Sequence, residues 1–277
     1  MQDLRVDVSI IIAAFDEGPA IGDVLSKTAL VMNRLNLPYE IIVVDDGSTD
    51  NTKQVALVHG AKVIWDGKNH GKGYSVRKAL EQAHGDIIVT IDADGEHKPE
   101  DIPKLIEALN NEADVAVGSR FLGDGEYFTT GLNVIGNKLL NLAITVLTGK
   151  YITDSQTGFR AFRRAFFERI NLESNGFEIE AEITVKSLLN GFRLKEVPVS
   201  CTRRENGRSK LKIASDGFKM LRTILRSSVI RVDYGAMGAS TGSLRNITIE
   251  KRRLRFLAIG LGMSFATAVL LRVLIPL

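Results

Sequence analysis

Apolar residues in this chain fall into two patterns: short unbroken runs, and longer stretches where they recur every three or four positions. Residues 6–14 (VDVSIIIAA), 40–44 (EIIVV), 61–65 (AKVIW), 86–91 (DIIVTI) and 114–118 (DVAVG) are of the first kind. Such runs read as strands covered on both faces, as in a parallel sheet. Between the first two, Ile21, Val24, Leu25, Thr28 and Val31 recur at helical spacing behind Gly18 and Pro19, and proline suits the first turn of a helix. A short helix follows Ser48 and Asp50, either of which can cap it. Another runs from the loop 66–73 to about His84, and one opens at Pro99 and closes near Glu112. Strand–helix alternation with short connections predicts an α/β architecture, a mostly parallel, doubly wound sheet flanked by helices. After a polar, glycine-rich loop at 120–133, the spacing predicts helices over 133–148 and 178–190 and a strand over 193–199. Segment 201–210 is polar and basic and reads as a mobile loop.

The pattern changes character near the C-terminus. In 211–231 (LKIASDGFKMLRTILRSSVIR), Ile213, Phe218, Leu221, Ile224 and Leu225 lie near one helical face, and Lys212, Lys219, Arg222 and Arg226 charge the rest. A basic amphipathic helix of this kind either lies in a membrane interface or packs on the domain with its charged side solvated. Phe256 to Leu271 is uncharged, and the apolar stretch reaches Leu277 with Arg272 as the one interruption. At ~1.5 Å per residue this stretch spans ~33 Å, about one hydrocarbon core. Lys251, Arg252, Arg253 and Arg255 flank it, so the positive-inside rule puts that flank, and the body before it, in the cytoplasm. The expected organisation is a globular domain over 1–210, a membrane-interface helix over 211–235, a basic linker over 236–253 and a single transmembrane helix over 254–277.

Charge supports the same division. Residues 201–277 carry 15 Lys and Arg against 4 Asp and Glu, whereas residues 1–200 carry 21 against 29, so the net +3 conceals an acidic body and a basic tail. The tail predicts an anionic partner, and the neighbouring apolar segment favours a membrane surface over nucleic acid. Hydrophobic content of 44% in 277 residues is enough for a sizeable core. Cys201 is the only cysteine, which excludes an intrachain disulfide. The N-terminus lacks the basic and apolar regions of a secretory signal.

Candidate chemistry concentrates where the run Ile87–Ile91 ends abruptly at Asp92-Ala93-Asp94. Open α/β sheets bind ligands at the carboxyl ends of their strands. Two acids planted there repel unless a cation lies between them, and hard Mg²⁺ or Mn²⁺ ions accept carboxylate together with phosphate oxygens. Strand alternation would put Asp92 and Asp94 on one side. The pair predicts a metal-assisted site for a diphosphate-bearing substrate. Gly71-Lys72-Gly73 lacks the spacing of a Walker loop; it either cradles a nucleotide or is a tight turn. No His/Cys spacing supports zinc, and His70 and His97 read as loop hydrogen-bonding residues.

Six segments, in order, carry a resemblance: 9–17 (SIIIAAFDE), 44–48 (VDDGS), 92–97 (DADGEH), 118–120 (GSR), 154–162 (DSQTGFRAF) and 204–210 (RENGRSK). Together they resemble family 2 glycosyltransferases, most closely the polyprenyl-phosphate (dolichyl-phosphate mannosyltransferase-like) group, over about residues 6–231. The resemblance implies a GT-A fold, a nucleoside-diphosphate sugar donor such as GDP-mannose or UDP-glucose, a divalent metal (Mg²⁺ or Mn²⁺), and inverting hexose transfer to a polyprenyl or dolichyl phosphate. It implies that Asp46 contacts the nucleoside, with Ala13, Phe15, Glu17 and Val44 near the base or ribose, and that Asp92 and Ala93 meet the donor. Asp92, Asp94 and Glu96 form the implied metal set, giving Lewis-acid help to the departing diphosphate. Arg120, Arg204 and Lys210 are implied phosphate-binding cations, and the loop 203–210 either closes over the donor or collects the lipid phosphate. Asp154, with Gln156 beside it, orients the acceptor or acts as a base. An acceptor phosphate is already largely ionised, so positioning outweighs proton removal. Asp94, Asp154 and Arg120 are thus the expected catalytic residues.

Two departures stand out: Ala13 and Asp16 replace the proline and asparagine common in the first motif, and Glu96 stands where relatives usually carry glutamine. Two rival readings stand beside this one, the first keeping the fold and the second of another class. One changes the acceptor to a glycan or protein; the other is a non-catalytic nucleotide-binding membrane module.

Overall fold

The computed structural model describes residues 6–110, 113–122, 131–204 and 210–229. The runs of the first kind become β1 (Val8–Ala14), β2 (Tyr39–Asp45), β3 (Lys62–Trp65), β4 (Ile87–Thr90) and β5 (Val115–Ser119). Helices α1 (Gly18–Leu35), α2 (Thr52–Val58), α3 (Lys72–Leu80) and α4 (Ile102–Asn110) connect them, α4 entered through a single tight turn at Pro99–Asp101. Then follow α5 (Gly131–Thr148), β6 (Arg160–Arg163), α6 (Ala165–Arg169), α7 (Ile179–Leu189), β7 (Leu194–Pro198) and α8 (Ile213–Val229). The seven strands form one sheet in the order β3-β2-β1-β4-β6-β5-β7.

Every pairing is parallel except those of β6, which runs antiparallel to both β4 and β5. Sequence periodicity did not reveal β6. It is four residues long, with arginine at both ends, and the first of these, Arg160, is fully buried. Its reversed direction matters for the site. Arg160 pairs with Thr90 at the carboxyl end of β4, so the segment 154–159 leading into β6 arrives beside the acidic turn 92–96. The Thr90 hydroxyl fastens this junction by donating to the Gly158 carbonyl at 2.7 Å.

Helices cover both faces, as the continuous apolar strands require. Ile10, Ile12, Val43 and Val89 pack with α1 and α4 on one face, and Ile11, Ile42, Ile88 and Phe162 pack with α3, α6 and α7 on the other. Each such fully buried side chain stabilises the fold by roughly 1.5–3 kcal/mol. A third cluster joins Ala143, Ile144 and Leu147 of α5 to Val185 of α7 and to Ile224 and Leu225 of α8.

That third cluster covers part of the apolar face expected over 211–235, of which 230–235 lie outside the described residues. The helix forms over Ile213–Val229, but Ile224 and Leu225 are buried against the domain, not turned outward. Of its expected apolar face, Phe218 remains exposed, at 66%. An apolar stripe is exposed on α5 instead, at Ile135, Leu139 and Leu142. Among the described residues no helix is long and apolar enough to cross a membrane. The expected linker 236–253 and transmembrane helix 254–277 lie outside the described residues.

Candidate active site

A cleft of about 1100 Å³ opens over the carboxyl ends of β1, β2 and β4. Its rim is built by loops that hold one another. Asp16 adopts φ 51°, a left-handed conformation that Asp and Asn tolerate better than most residues. Its carboxylate accepts the Thr49 amide at 2.7 Å, and its own amide donates to the Ser48 hydroxyl at 2.9 Å. Asp50 accepts the amides of Gly18 and Thr52, each at 2.9 Å, and so holds the first turns of α1 and α2 together. Asp46 lines the cleft, with its two oxygens accepting the amides of His70 and Gly71 at 2.8 Å. Gly71 sits at φ 100°, and a Cβ there would lie 2.5 Å from the Asn175 carbonyl. The Gly-Lys-Gly segment is therefore the entry to α3, with Gly71 at its N-cap, and it sets Lys72 in the cleft.

Two charged clusters fill the centre. Lys72 lies 2.6 Å from Asp92 and 3.0 Å from Glu180 of α7. Gly158 faces this pair at such close quarters that a Cβ would fall 2.5 Å from the ammonium. The second cluster surrounds Arg204, whose guanidinium pairs with Asp94, lies 3.3 Å from Glu96 and lies 3.3 Å from Glu17. Lys210 adds a second cation 3.4 Å from Glu17. Thr202 positions this strap, its amide donating to the Glu96 carbonyl at 2.9 Å and its hydroxyl to the Gly95 carbonyl at 3.2 Å.

The electrostatics follow. Burial pushes the carboxyls of Glu17 and Glu96 up, and the nearby Asp94 charge adds to this, against the pull of Arg204. Burial also opposes ionisation of Asp92, but the Lys72 charge prevails and holds it low. The same two carboxylates, Asp92 and Glu180, overcome burial to raise the Lys72 ammonium, which stays charged.

Arg120 lines the cleft with its guanidinium gripped from behind. Asp154, fully buried, accepts from Nε at 2.7 Å, from Nη2 at 2.9 Å and from the Arg120 amide at 3.1 Å. Burial opposes ionisation of Asp154, yet the charge and hydrogen bonds of Arg120 keep it below the usual carboxylate range. Glu196 in turn holds the 153–154 backbone, accepting the amides of Thr153 and Asp154.

Most of the predicted residues thus converge. Ala13, Phe15, Glu17, Asp46 and Asp92–Asp94 line the cleft, as do Glu96, Arg120, Arg204 and Lys210. Three expectations need correction. Val44 is buried among Ile11, Ile42 and Ile88, so its side chain faces the core. Asp154 cannot orient an acceptor directly, because it is sealed behind Arg120; it is a positioning residue. The trio Asp92, Asp94 and Glu96 does not converge, and among the described residues no group of three or more His, Cys, Asp or Glu is arranged to hold a metal. The reason is local: β4 ends at Thr90 and residues 93–94 form a turn, so strand alternation no longer governs the two aspartates. Asp94 and Glu96, however, gather on a single cation. Two carboxylates suit a hard divalent ion that also takes substrate phosphate oxygens, so this pair fits the expected metal in reduced form.

Glu180 and Glu196 escaped the sequence reading. Both lie outside the recurring motifs; the available signal was a run of acids, Glu178, Glu180 and Glu182, entering an otherwise apolar helix.

Comparison with known proteins bears on the same cleft. Residues 9–170 match the family model "Glycosyl transferase family 2". The chain is 34% identical over 232 residues to the dolichol-phosphate mannosyltransferase of Pyrococcus furiosus, covering 79% of this chain and 63% of that protein, somewhat less than two thirds of its length. It is 30% identical over 262 residues to the undecaprenyl-phosphate 4-deoxy-4-formamido-L-arabinose transferase of Pseudomonas fluorescens, covering 90% of this chain and 74% of the relative. Among solved structures, glucosyl-3-phosphoglycerate synthase of Mycobacterium tuberculosis, crystallised with Mn²⁺, UDP and phosphoglyceric acid, superposes with a TM-score of 0.68 at 20% identity, over 82% of this chain and 80% of that one. That likeness is one of fold. The extent of the family match, which takes in β1 to β6 and every strand tip around the cleft, makes this chain a member of glycosyl transferase family 2 with a GT-A fold.

Proposed function

We propose that this family 2 glycosyltransferase moves a hexose from a nucleoside-diphosphate sugar to a polyprenyl or dolichyl monophosphate, with inversion. The observation that carries the reading is the pairing in one cleft of a carboxylate cluster neutralised by Arg204 and Lys210 with a cation, Arg120, fixed by a buried acid. The names of the relatives, which act on dolichol and undecaprenyl phosphates, support the acceptor class.

The nucleoside lies at the tips of β1 and β2, near Ala13, Phe15, Glu17 and Asp46. Asp94 and Glu96 would hold a Mg²⁺ or Mn²⁺ ion, which when bound supplies Lewis-acid stabilisation to the departing diphosphate. Arg204 and Lys210 exchange their carboxylate partners for donor phosphate oxygens and exclude water from the sugar. Arg120, preset by Asp154, receives the acceptor phosphate. An oxygen of that phosphate attacks the anomeric carbon from the face opposite the diphosphate. The new carbon–oxygen bond forms as the bond to the nucleoside diphosphate breaks, and no proton need be removed.

A lipid acceptor requires a membrane surface. Ile135, Leu139 and Leu142 of α5, with Phe218 of α8, supply exposed apolar area, and Lys138, Lys219 and Arg222 lie exposed on the same two helices. The apolar sequence of residues 256–277, behind the basic flank 251–255, supports membrane attachment with the catalytic domain on the cytoplasmic face. Radiolabelled donors, tested one by one with a polyprenyl phosphate and Mg²⁺ or Mn²⁺, check the reading: label enters the organic phase with one donor. Label from every common donor staying in the aqueous phase refutes it.

A further inference from the structure

We infer that Gln156 is a specificity-determining residue, whose side-chain oxygen receives a hydrogen bond from a hydroxyl of the sugar being transferred. The inference rests on the donor class proposed above. Among the described residues, Gln156 is the one lining the cleft that carries a buried side-chain oxygen with no hydrogen-bond partner. Leaving an acceptor buried and unpaired is costly, so such a group calls for an explanation in bound ligand.

The identity of the unpaired atom follows from its neighbours. Asn141 donates from Nδ2 to the Thr153 carbonyl at 2.6 Å, and its Oδ1 accepts the Ser155 amide at 3.0 Å. Both partners are backbone groups whose roles cannot reverse, which fixes the Asn141 amide. The Ser155 hydroxyl lies 2.6 Å from that Oδ1, so its single proton is spent there. Ser155 Oγ must then accept from Gln156, whose Nε2 lies 2.8 Å away. The Gln156 side chain is therefore oriented by a buried relay from Thr153 through Asn141 and Ser155, and the atom left over is Oε1, an acceptor.

An acceptor selects its ligand. The diphosphate of the donor and an ionised acceptor phosphate offer oxygens without protons, so neither can satisfy Gln156 Oε1. Hydroxyl and N–H groups can. The sheet decides between the two ends of the donor. Asp46 follows β2 and Gln156 precedes β6, and the order β2-β1-β4-β6 separates them by three strand spacings, ~14 Å at ~4.8 Å each. With the nucleoside over β1 and β2, the groups reaching Gln156 belong to the sugar beyond the diphosphate. Gln156 also lies two residues from Asp154, on the side of the cleft where Arg120 faces the acceptor.

A site built to bond a substrate hydroxyl discriminates strongly against an analogue that lacks it. Calorimetry on the full chain with Mn²⁺ reads this directly, using GDP, UDP, GDP-mannose and UDP-glucose. Gln156→Leu removes the acceptor at similar size, and Gln156→Glu retains one. The expected result is that Gln156→Leu weakens the preferred nucleotide sugar by roughly tenfold while the matching nucleoside diphosphate binds as in wild type, and that Gln156→Glu recovers part of the loss. Equal losses for sugar nucleotide and nucleoside diphosphate, or no loss for either, overturn the inference and leave the donor class standing. Wild-type protein that binds none of the four probes overturns the donor class itself.

Discussion

Asp92 and Asp94 stand one residue apart and bind different cations, Lys72 and Arg204. The short distance along the chain conceals a change of environment. Asp92 turns inward to a lysine that it shares with Glu180, whereas Asp94 turns toward the strap after Thr202. The two acids should therefore respond differently to substitution. Calorimetric titration of Mn²⁺ in the presence of a nucleoside diphosphate should show Asp94→Asn weakening the ion by roughly tenfold or more. Asp92→Asn should alter Mn²⁺ affinity far less and lower thermal stability instead, since Lys72 loses a buried partner. Equal effects of the two variants on Mn²⁺ would contradict this assignment.

Arg204 pairs with Asp94 and Glu96, the two carboxylates proposed to hold a divalent ion. Its removal should act in opposite directions on two ligands. Arg204→Gln should bind Mn²⁺ alone more tightly, because a competing charge is gone, and bind UDP or GDP more weakly, because a phosphate partner is gone. Parallel weakening of both ligands would contradict the exchange of partners.

The Arg120–Asp154 pair predicts both a stability and a pH effect. Asp154→Ala leaves a guanidinium uncompensated over a buried cavity, a loss of about 3–5 kcal/mol for buried pairs of this kind. The Asp154 carboxyl titrates below its ordinary value of 3.8 in the folded chain. Its stabilising contribution is thus complete above that value and lost as the pH falls through the lower, folded one. Denaturant melts of Asp154→Asn should accordingly lie below wild type at neutral pH, with the gap closing in strong acid. A gap that stays constant into acid would contradict the charge-based account.

Exposed apolar residues on α5 predict a membrane-facing surface distinct from the buried side of α8. Replacing Leu139 and Leu142 with Glu should reduce sedimentation of the protein with anionic vesicles while leaving UDP or GDP affinity unchanged. The loss should exceed that of the same change at Leu57, which is also exposed but on α2.

Much of this was legible in the residues. The β-branched runs gave five strands because burial on both faces leaves a continuous apolar signature, and the acids after Ile91 marked the ligand edge. Strand β6 was not legible: its two arginines look solvent-facing until the sheet buries the first of them. Nor was the role of Asp154, since its motif states proximity to the site but not that Arg120 stands in front. Glu180 reaches the cleft from a helix almost ninety residues after Asp92, a contact that only tertiary packing creates. The apolar face of 211–231 was visible, but periodicity cannot distinguish lipid from α5 and α7 as its partner.

The central claim is that a cation held by Asp94 and Glu96 lets a nucleoside diphosphate depart as sugar passes to a lipid phosphate. Transfer of radiolabelled hexose into an organic-extractable polyprenyl phosphate, run with wild type and with folded Asp94→Asn, tests it most directly. Wild type should transfer label with Mg²⁺ or Mn²⁺ and stop in chelator, and Asp94→Asn should fail in both conditions. Transfer by Asp94→Asn in chelator at the wild-type rate would contradict the account.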